Sequence, residues 1–279
     1  MIRSTLIFLL ILSSFTMVFA QSPISVMTYN IKLDYPKEGE NSWTNRKPFF
    51  IDQIKFYEPD ILGVQEAMPN QMNDMDSLLE EYAYVGVGRD DGKDEGEYSA
   101  IFYKKNQLKI LESSTFWLSQ TPDKVSMGWD AACNRVCTYA LFENQKTQQK
   151  FWVFNTHFDH VGVEARKNST TLIIQKIKDI NTNYYPVMLT GDFNMEPSHE
   201  SIQVILQNLK DAKAAAKNTF GPEGTFNGFQ FDRPVARRID YIFTSEDVVV
   251  NKYAVLSDNE NLRYPSDHLP VYVEIGFEK

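Results

Sequence analysis

Five strand-like segments follow one another with no helix between them: Tyr84–Val87, Tyr98–Lys104, Ile110–Leu118, Arg135–Glu143 and Phe151–His157. They are rich in β-branched and aromatic residues and are parted by loops such as the acidic, glycine-bearing Arg89–Gly96. Helices alternate with strands on either side of this run. Ile24–Asn30 alternates as a half-buried strand does, and Arg46–Tyr57 carries Phe49, Phe50, Ile54 and Tyr57 at helical spacing before Pro59 stops it. Ile61–Gln65 reads as a short buried strand, Pro69–Glu81 as a helix and Glu164–Asn181 as another. Strand Pro186–Thr190, helix Ser198–Leu209 and strands Arg238–Phe243, Val248–Leu256 and Pro270–Ile275 close the chain. A parallel pair needs a long crossover, whereas successive strands without one do not, so the sheets must be mixed. The prediction is an α/β fold, a four-layer α-β-β-α sandwich of two packed mixed sheets with helices outside.

Residues 1–20 are set apart. Arg3 gives a positive start, Leu6–Val18 is mostly apolar, and Val18-Phe19-Ala20 offers small residues where a signal peptidase reads. The run is interrupted by Ser13, Ser14 and Thr16 and is short of the ~20 apolar residues that a membrane span needs. The expectation is a signal peptide over 1–20, a single domain over 21–279, no membrane span, and a secreted or periplasmic protein. A monomer is expected.

Only Cys133 and Cys137 are present. If Arg135–Leu141 is a strand, four residues separate their Cα atoms by about 13 Å, beyond disulfide range. Only a tight turn at Asn134 would join them. No second Cys/His pair has the spacing of a structural zinc site.

The chemistry gathers at strand ends. Asn30, Glu66, Asp192 and Asn194 (in Gly191-Asp192-Phe193-Asn194), Asp240, and the pair Asp267-His268 each lie at or beside one. Loops converge there while strands stay rigid. Any one of these residues alone suits a turn or a cap; seven together point to a site. Carboxylates and an amide oxygen suit a hard cation such as Mg²⁺. An imidazole steadied by a carboxylate suits anion binding or proton transfer.

From Met27-Thr28-Tyr29-Asn30 to Ser266-Asp267-His268 the chain resembles the endonuclease/exonuclease/phosphatase superfamily of deoxyribonuclease-like, metal-dependent phosphoesterases. The likeness is greatest to exported bacterial members of unassigned substrate, which share strings like Asn155-Thr156-His157-Phe158-Asp159-His160. The resemblance implies that Glu66 is the principal metal ligand, helped by Asn30 and Asp267, with Mg²⁺ or Mn²⁺ as cofactor. It implies that Asp192 and Asn194 orient the attacking water and the scissile phosphate. His268 would serve a phosphate oxygen or a proton, held by Asp240, with His157 as second imidazole. Glu97 would pair with His157, and Arg135 would contact phosphate.

Weaker candidates remain. His160 and Asp159 suit substrate contact or a surface turn, His199 the first turn of a helix, and Arg166 a substrate phosphate or, more in keeping with its place, a bridge to a neighbouring acid. Trp43, Asn45, Arg46, Phe226 and Asn227 are candidates for the rim. The leading functional expectation is hydrolysis of a phosphomono- or diester of a small or medium molecule: a sugar or polyol phosphate, a phosphodiester or a phospholipid headgroup. A secreted nuclease acting on DNA or RNA is the alternative, disfavoured by the net charge of −9 and the lack of a basic stripe. A binding protein with a dead site on the same fold is the third reading.

Overall fold

A computed structural model describes residues 23–278. The signal peptide expected over 1–20 lies outside them. In chain order the elements are β1 (Ile24–Asn30), α1 (Trp43–Tyr57), β2 (Ile61–Gln65), α2 (Pro69–Leu78), β3 (Tyr82–Val85), β4 (Ile101–Lys104), β5 (Leu108–Trp117), β6 (Val136–Asn144), β7 (Lys150–His157), α3 (Val163–Ile180), β8 (Val187–Asp192), α4 (Glu200–Leu206), β9 (Lys210–Asp211), α5 (Ala212–Ala215), β10 (Asn218–Phe220), β11 (Asp240–Thr244), β12 (Val248–Val255) and β13 (Val271–Phe277). A 3-10 turn over Pro36–Asn41 precedes α1.

Among the described residues the strands make two mixed sheets, ordered β10-β12-β13-β1-β2-β4-β3 and β5-β6-β7-β8-β11-β9. The alternation of strand side chains explains why they stack. In β1, Val26 joins Val153, Met188 and Ile242 between the sheets. Its neighbours Met27 and Tyr29 point the other way, against Phe50 and Ile54 of α1 and Met72 and Met75 of α2. On the far side Ile173 and Ile177 of α3 and Ile202 and Ile205 of α4 pack on Phe154, Leu189 and Phe243. The result is the predicted four-layer sandwich.

Near the functional rim the filling between the sheets turns polar. Asn155 of β7 donates to the Val64 and Ala100 carbonyls at 2.9 Å each, and its oxygen accepts from Gln65 at 2.7 Å and Thr190 at 3.0 Å. Gly63 makes room for this seam: a Cβ there would lie 2.6 Å from Asn155 Oδ1. Buried polar groups are tolerable because they satisfy one another.

Several boundaries differ from the sequence expectation. α1 starts at Trp43 instead of Arg46 and carries Pro48 inside it, where one helical hydrogen bond is missing. α2 stops at Leu78, and α4 spans only Glu200–Leu206, ending where Gln207 N–H bonds back to Val204. Both cysteines are free thiols, as a strand through Cys137 requires.

Candidate active site

Parallel pairing sets the rim. Asn30 at the end of β1 lies beside Gln65 at the end of β2, and His157 at the end of β7 lies beside Asp192 at the end of β8. β11 runs antiparallel to β8 with Asp240 opposite Asp192. Asn30 joins the two sheets at this rim, its amide NH₂ donating to Glu66 at 3.1 Å and to Asp192 at 3.0 Å. Glu66 and Asn194 each turn the chain just beyond a strand with left-handed φ of 62° and 52°. Such a turn swings the side chain back over the strand ends.

Glu66, His157, Asp192, Asn194, Asp267 and His268 line a cavity of about 380 Å³ together with Lys32, Arg89, Arg135, Phe226 and Arg237. At its base Asp240 accepts from His268 Nδ1 at 2.8 Å and from the Thr225 hydroxyl at 2.5 Å. Burial alone would lower the His268 pKa, but Asp240 and Asp192 outweigh it and push it up to about 10. His268 is therefore an imidazolium at neutral pH. His157 is the opposite case: burial, then Arg135 and Arg89, drive its pKa well down. Asn194 spends its amide hydrogens on His157 Nε2 at 3.1 Å and the Phe158 carbonyl at 3.0 Å. The neutral ring then carries its proton on Nδ1, which is buried without a hydrogen-bond partner. Asp192 lies 3.4 Å from His157 Nε2 and 3.8 Å from His268 Nε2. Burial, then the charge on Asp240, raises it to about 7.

The metal-ligand candidates form their own corner. The Lys32 ammonium stands 4.0 Å from Glu66 and 3.7 Å from Asp267. Burial would raise the Glu66 carboxyl, yet Lys32, His268, the Leu33 N–H and the Asn30 amide together hold it below its ordinary value. Two carboxylates that already converge on a cation fit a hard divalent ion. Asn30 differs from the sequence expectation of an oxygen donor. Its oxygen accepts from the Lys32 N–H at 3.1 Å, so in this arrangement it steadies Glu66 through its NH₂. Asp192, Asp240 and His268 also bring ligand atoms within 4.8 Å of one another. A protonated His268 suits a metal poorly, because a ligating imidazole must be neutral. The Glu66–Asp267 corner fits better.

The remaining candidates sort clearly. Glu97 is 3.9 Å from His157 Nδ1, but its short contact, 2.7 Å, is to Arg89. Arg135 is held by Asp159 at 3.3 Å and meets His160 Nδ1 at 3.1 Å, leaving buried Nη1 unpartnered. Asp159 is a loop anchor that accepts the N–H groups of Ala132, Val161 and Gly162. Arg166 donates to the Asp159 carbonyl, and His199 caps α4 by accepting from Ser201 N–H at 3.2 Å. Phe226 lines the cavity, edge-on to His268 at 5.1 Å between centroids. Asn227 holds the loop by donating to the Ser266 carbonyl. Trp43 and Arg46 do not rim this cavity. Both are buried, and the Arg46 guanidinium ties the Ile31, Lys32 and Pro265 carbonyls together. Sequence reasoning missed Lys32, Arg89, Thr225 and Arg237. Lys32, two residues past Asn30, and Arg237, inside Arg237-Arg238-Ile239-Asp240, carried a positional signal; Arg89 and Thr225 carried none.

A buried imidazolium, a neutral imidazole and a carboxylate pair suited to a divalent cation, at one rim of two packed sheets, define a metal-dependent hydrolase of phosphoester bonds. The chain belongs to the Endonuclease/Exonuclease/phosphatase family, which matches it over residues 27–268. A family protein from Bacteroides thetaiotaomicron superposes with a TM-score of 0.90 at 37% identity, covering 94% of this chain and 100% of that one. A mannosyl-6-phosphatase from the same organism does so with a TM-score of 0.88 at 38% identity, covering 91% and 100%. Mouse nocturnin is 23% identical over 300 residues, which is 93% of this chain and 67% of nocturnin.

Proposed function

We propose that the protein is a phosphomonoesterase that removes phosphate from a phosphorylated sugar or similar small polyol, with Mg²⁺ or Mn²⁺ held by Glu66 and Asp267. The observation that carries this reading is the set of cationic side chains that line the cavity beside the candidate metal ligands: Arg89, Arg135, Arg237 and His268. A monoester presents three terminal phosphoryl oxygens where a diester presents two, so a wall rich in cationic donors favours the monoester. The likeness to a mannosyl-6-phosphatase at 38% identity supports a sugar as the leaving group.

The residues divide the work. A bound divalent cation supplies neutralisation of charge on the phosphoryl and departing oxygens. Charged His268 donates from Nε2 to a phosphoryl oxygen, oriented by Asp240 and Thr225 at its other end. Neutral His157 and the Arg135 guanidinium line the cavity beside it. Asp192, poised near neutrality, orients water and takes its proton. Asn194 fixes both Asp192, through its N–H at 2.8 Å, and the tautomer of His157. Export is part of the proposal and rests on residues 1–20; a mature N-terminus at Gln21 in the secreted or periplasmic fraction is the expected result.

The test is a panel of hexose 6-phosphates, polyol phosphates and diesters with Mg²⁺ and with Mn²⁺, beside zymograms on DNA and RNA. Turnover confined to monoesters supports the proposal; nucleic-acid cleavage with idle monoesters overturns it. A nuclease is the second reading, favoured by the likeness to a Ccr4 exoribonuclease subunit of Mycosarcoma maydis. Salt separates the two. A duplex-DNA enzyme neutralising 6–10 phosphates loses about 10³–10⁵ in affinity between 50 and 200 mM salt. One or two contacted phosphates give a log–log slope of only about one or two.

A further inference from the structure

Behind Arg46 lies a second cavity of about 340 Å³. Arg46 and Pro265 line it, and the same guanidinium donates to Ile31 and Lys32 at one strand end and to Pro265 beside Ser266-Asp267. Its lining mixes rings with planar polar groups: Phe49 and Tyr264 with Asn41, Asn45, Glu260 and Arg263. Arg263 and Glu40 meet across it at 2.8 Å, both largely exposed.

Three half-buried aromatics of one segment touch residues that line the two cavities. Phe226 lies against His268 in the catalytic cavity. Three residues on, Phe229 faces the Arg46 guanidinium at 5.7 Å, and Phe231 then meets Tyr264 at 5.1 Å. The segment is set by its own backbone: Gly228 and Phe229 have φ of 60° and 59°, and Phe229 N–H donates to Asn227 Oδ1 at 2.7 Å. None of these half-exposed rings has a role in phosphoryl chemistry.

Half-exposed rings beside fixed amides and a carboxylate are the chemistry that recognises carbohydrate. The apolar face of a pyranose lies on an aromatic ring, while its hydroxyls take bidentate hydrogen bonds from planar side chains. We infer that the second cavity is a glycan subsite: it holds the neutral sugar residues linked to the phosphorylated one, which reach it along Phe226, Phe229 and Phe231. The inference rests on the sugar-phosphatase reading and gives it a substrate class, a phosphorylated oligosaccharide in place of a free hexose phosphate. Binding energy from such remote residues is available to the chemical step, so truncated substrates should turn over more slowly.

Two readouts decide it, using Tyr264→Ala and the exposed Asn45→Ala. The first is kcat/KM for an α-linked mannotriose phosphorylated on its terminal residue, against mannose 6-phosphate. The wild-type enzyme should prefer the longer substrate by about tenfold, the scale of one ring stack. Each variant should bring that ratio toward one while leaving mannose 6-phosphate turnover unchanged. A wild-type ratio of one, or a preference that survives both substitutions, overturns the subsite and leaves the phosphatase reading standing. The second readout is calorimetric titration with unphosphorylated mannotriose, which needs no hydrolysis. If both phosphorylated substrates are inert, the sugar-phosphatase reading falls. The titration then decides: saturable binding lost in Tyr264→Ala upholds the subsite, and no binding overturns it.

Discussion

The Lys32 ammonium stands 3.7 Å from the Asp267 carboxylate, with Glu66 on its other side at 4.0 Å. A fixed positive charge in that position opposes entry of a second one, and it favours the ionised form of both carboxylates. Lys32→Gln should therefore tighten Mn²⁺ binding, by about tenfold for the loss of one partly screened charge at this range. Calorimetric titration of the metal measures this without reference to activity; weaker binding in the variant would place the metal elsewhere. Glu66→Ala should lose the metal, with part of the rate recovered at high Mg²⁺. Wild-type activity of that variant at low Mg²⁺ would remove Glu66 from the ligand set.

His268→Ala should lower kcat by at least about 10²-fold, the scale of a lost anion-stabilising donor. Asp240→Asn should cost less, since it disturbs only the 2.8 Å bond that orients the ring. Residues acting as one unit lose their effect together, so the double variant should be little worse than His268→Ala. Additive losses in single-turnover rates would separate the two residues.

Gly63→Ala tests the polar seam between the sheets. The added carbon would meet Asn155 Oδ1 at 2.6 Å and Thr190 Oγ1 at 2.8 Å. Overpacking and the displaced hydrogen bonds should destabilise the fold by about 2–3 kcal/mol. The urea midpoint reports it; an unchanged midpoint would show that the seam yields.

Asp159 gives a pH signature. Burial would raise its carboxyl, but the N–H groups of Gly162 and Val161, the Arg135 guanidinium and the Ala132 N–H hold it below its ordinary value. A folded-state pKa below the unfolded one, about 3.9, stabilises the native state above that value. The contribution fades as pH falls through the unfolded value and is gone below the folded one. The Tm gap between wild type and Asp159→Asn should be full at pH 6 and shrink toward pH 3. A gap independent of pH would mean that the lost hydrogen-bond geometry, and not the charge, carries the effect.

The sequence disclosed the strands that end in chemistry, because Ile61–Gln65 before Glu66 and Phe151–His157 carry their own periodic or apolar pattern. It did not disclose which ends meet. That Asn30 would bridge Glu66 and Asp192, 162 positions away, depends on the β1–β2 and β7–β8 pairings of separate sheets. β9, α5 and β10 escaped notice because residues 210–220 have no sustained period, and β9 and β10 exist only as edges on β11 and β12. The site was legible where a residue type is rare at a strand end, as with His268. It was illegible where the type is common: Thr225 and Arg89 matter only through Asp240 and Glu97, partners brought to them by the fold.

Glu66 and Asn194 carry a further consequence. A glutamate held in a left-handed turn costs about 1–2 kcal/mol relative to a relaxed backbone, and asparagine, which enters that region more readily, costs less. A selection for heat resistance alone would accept glycine at both positions and discard the side chains that make the rim useful. Thermostability and turnover are thus opposed at these two residues, and a laboratory lineage hardened by heating should be screened for activity at every round.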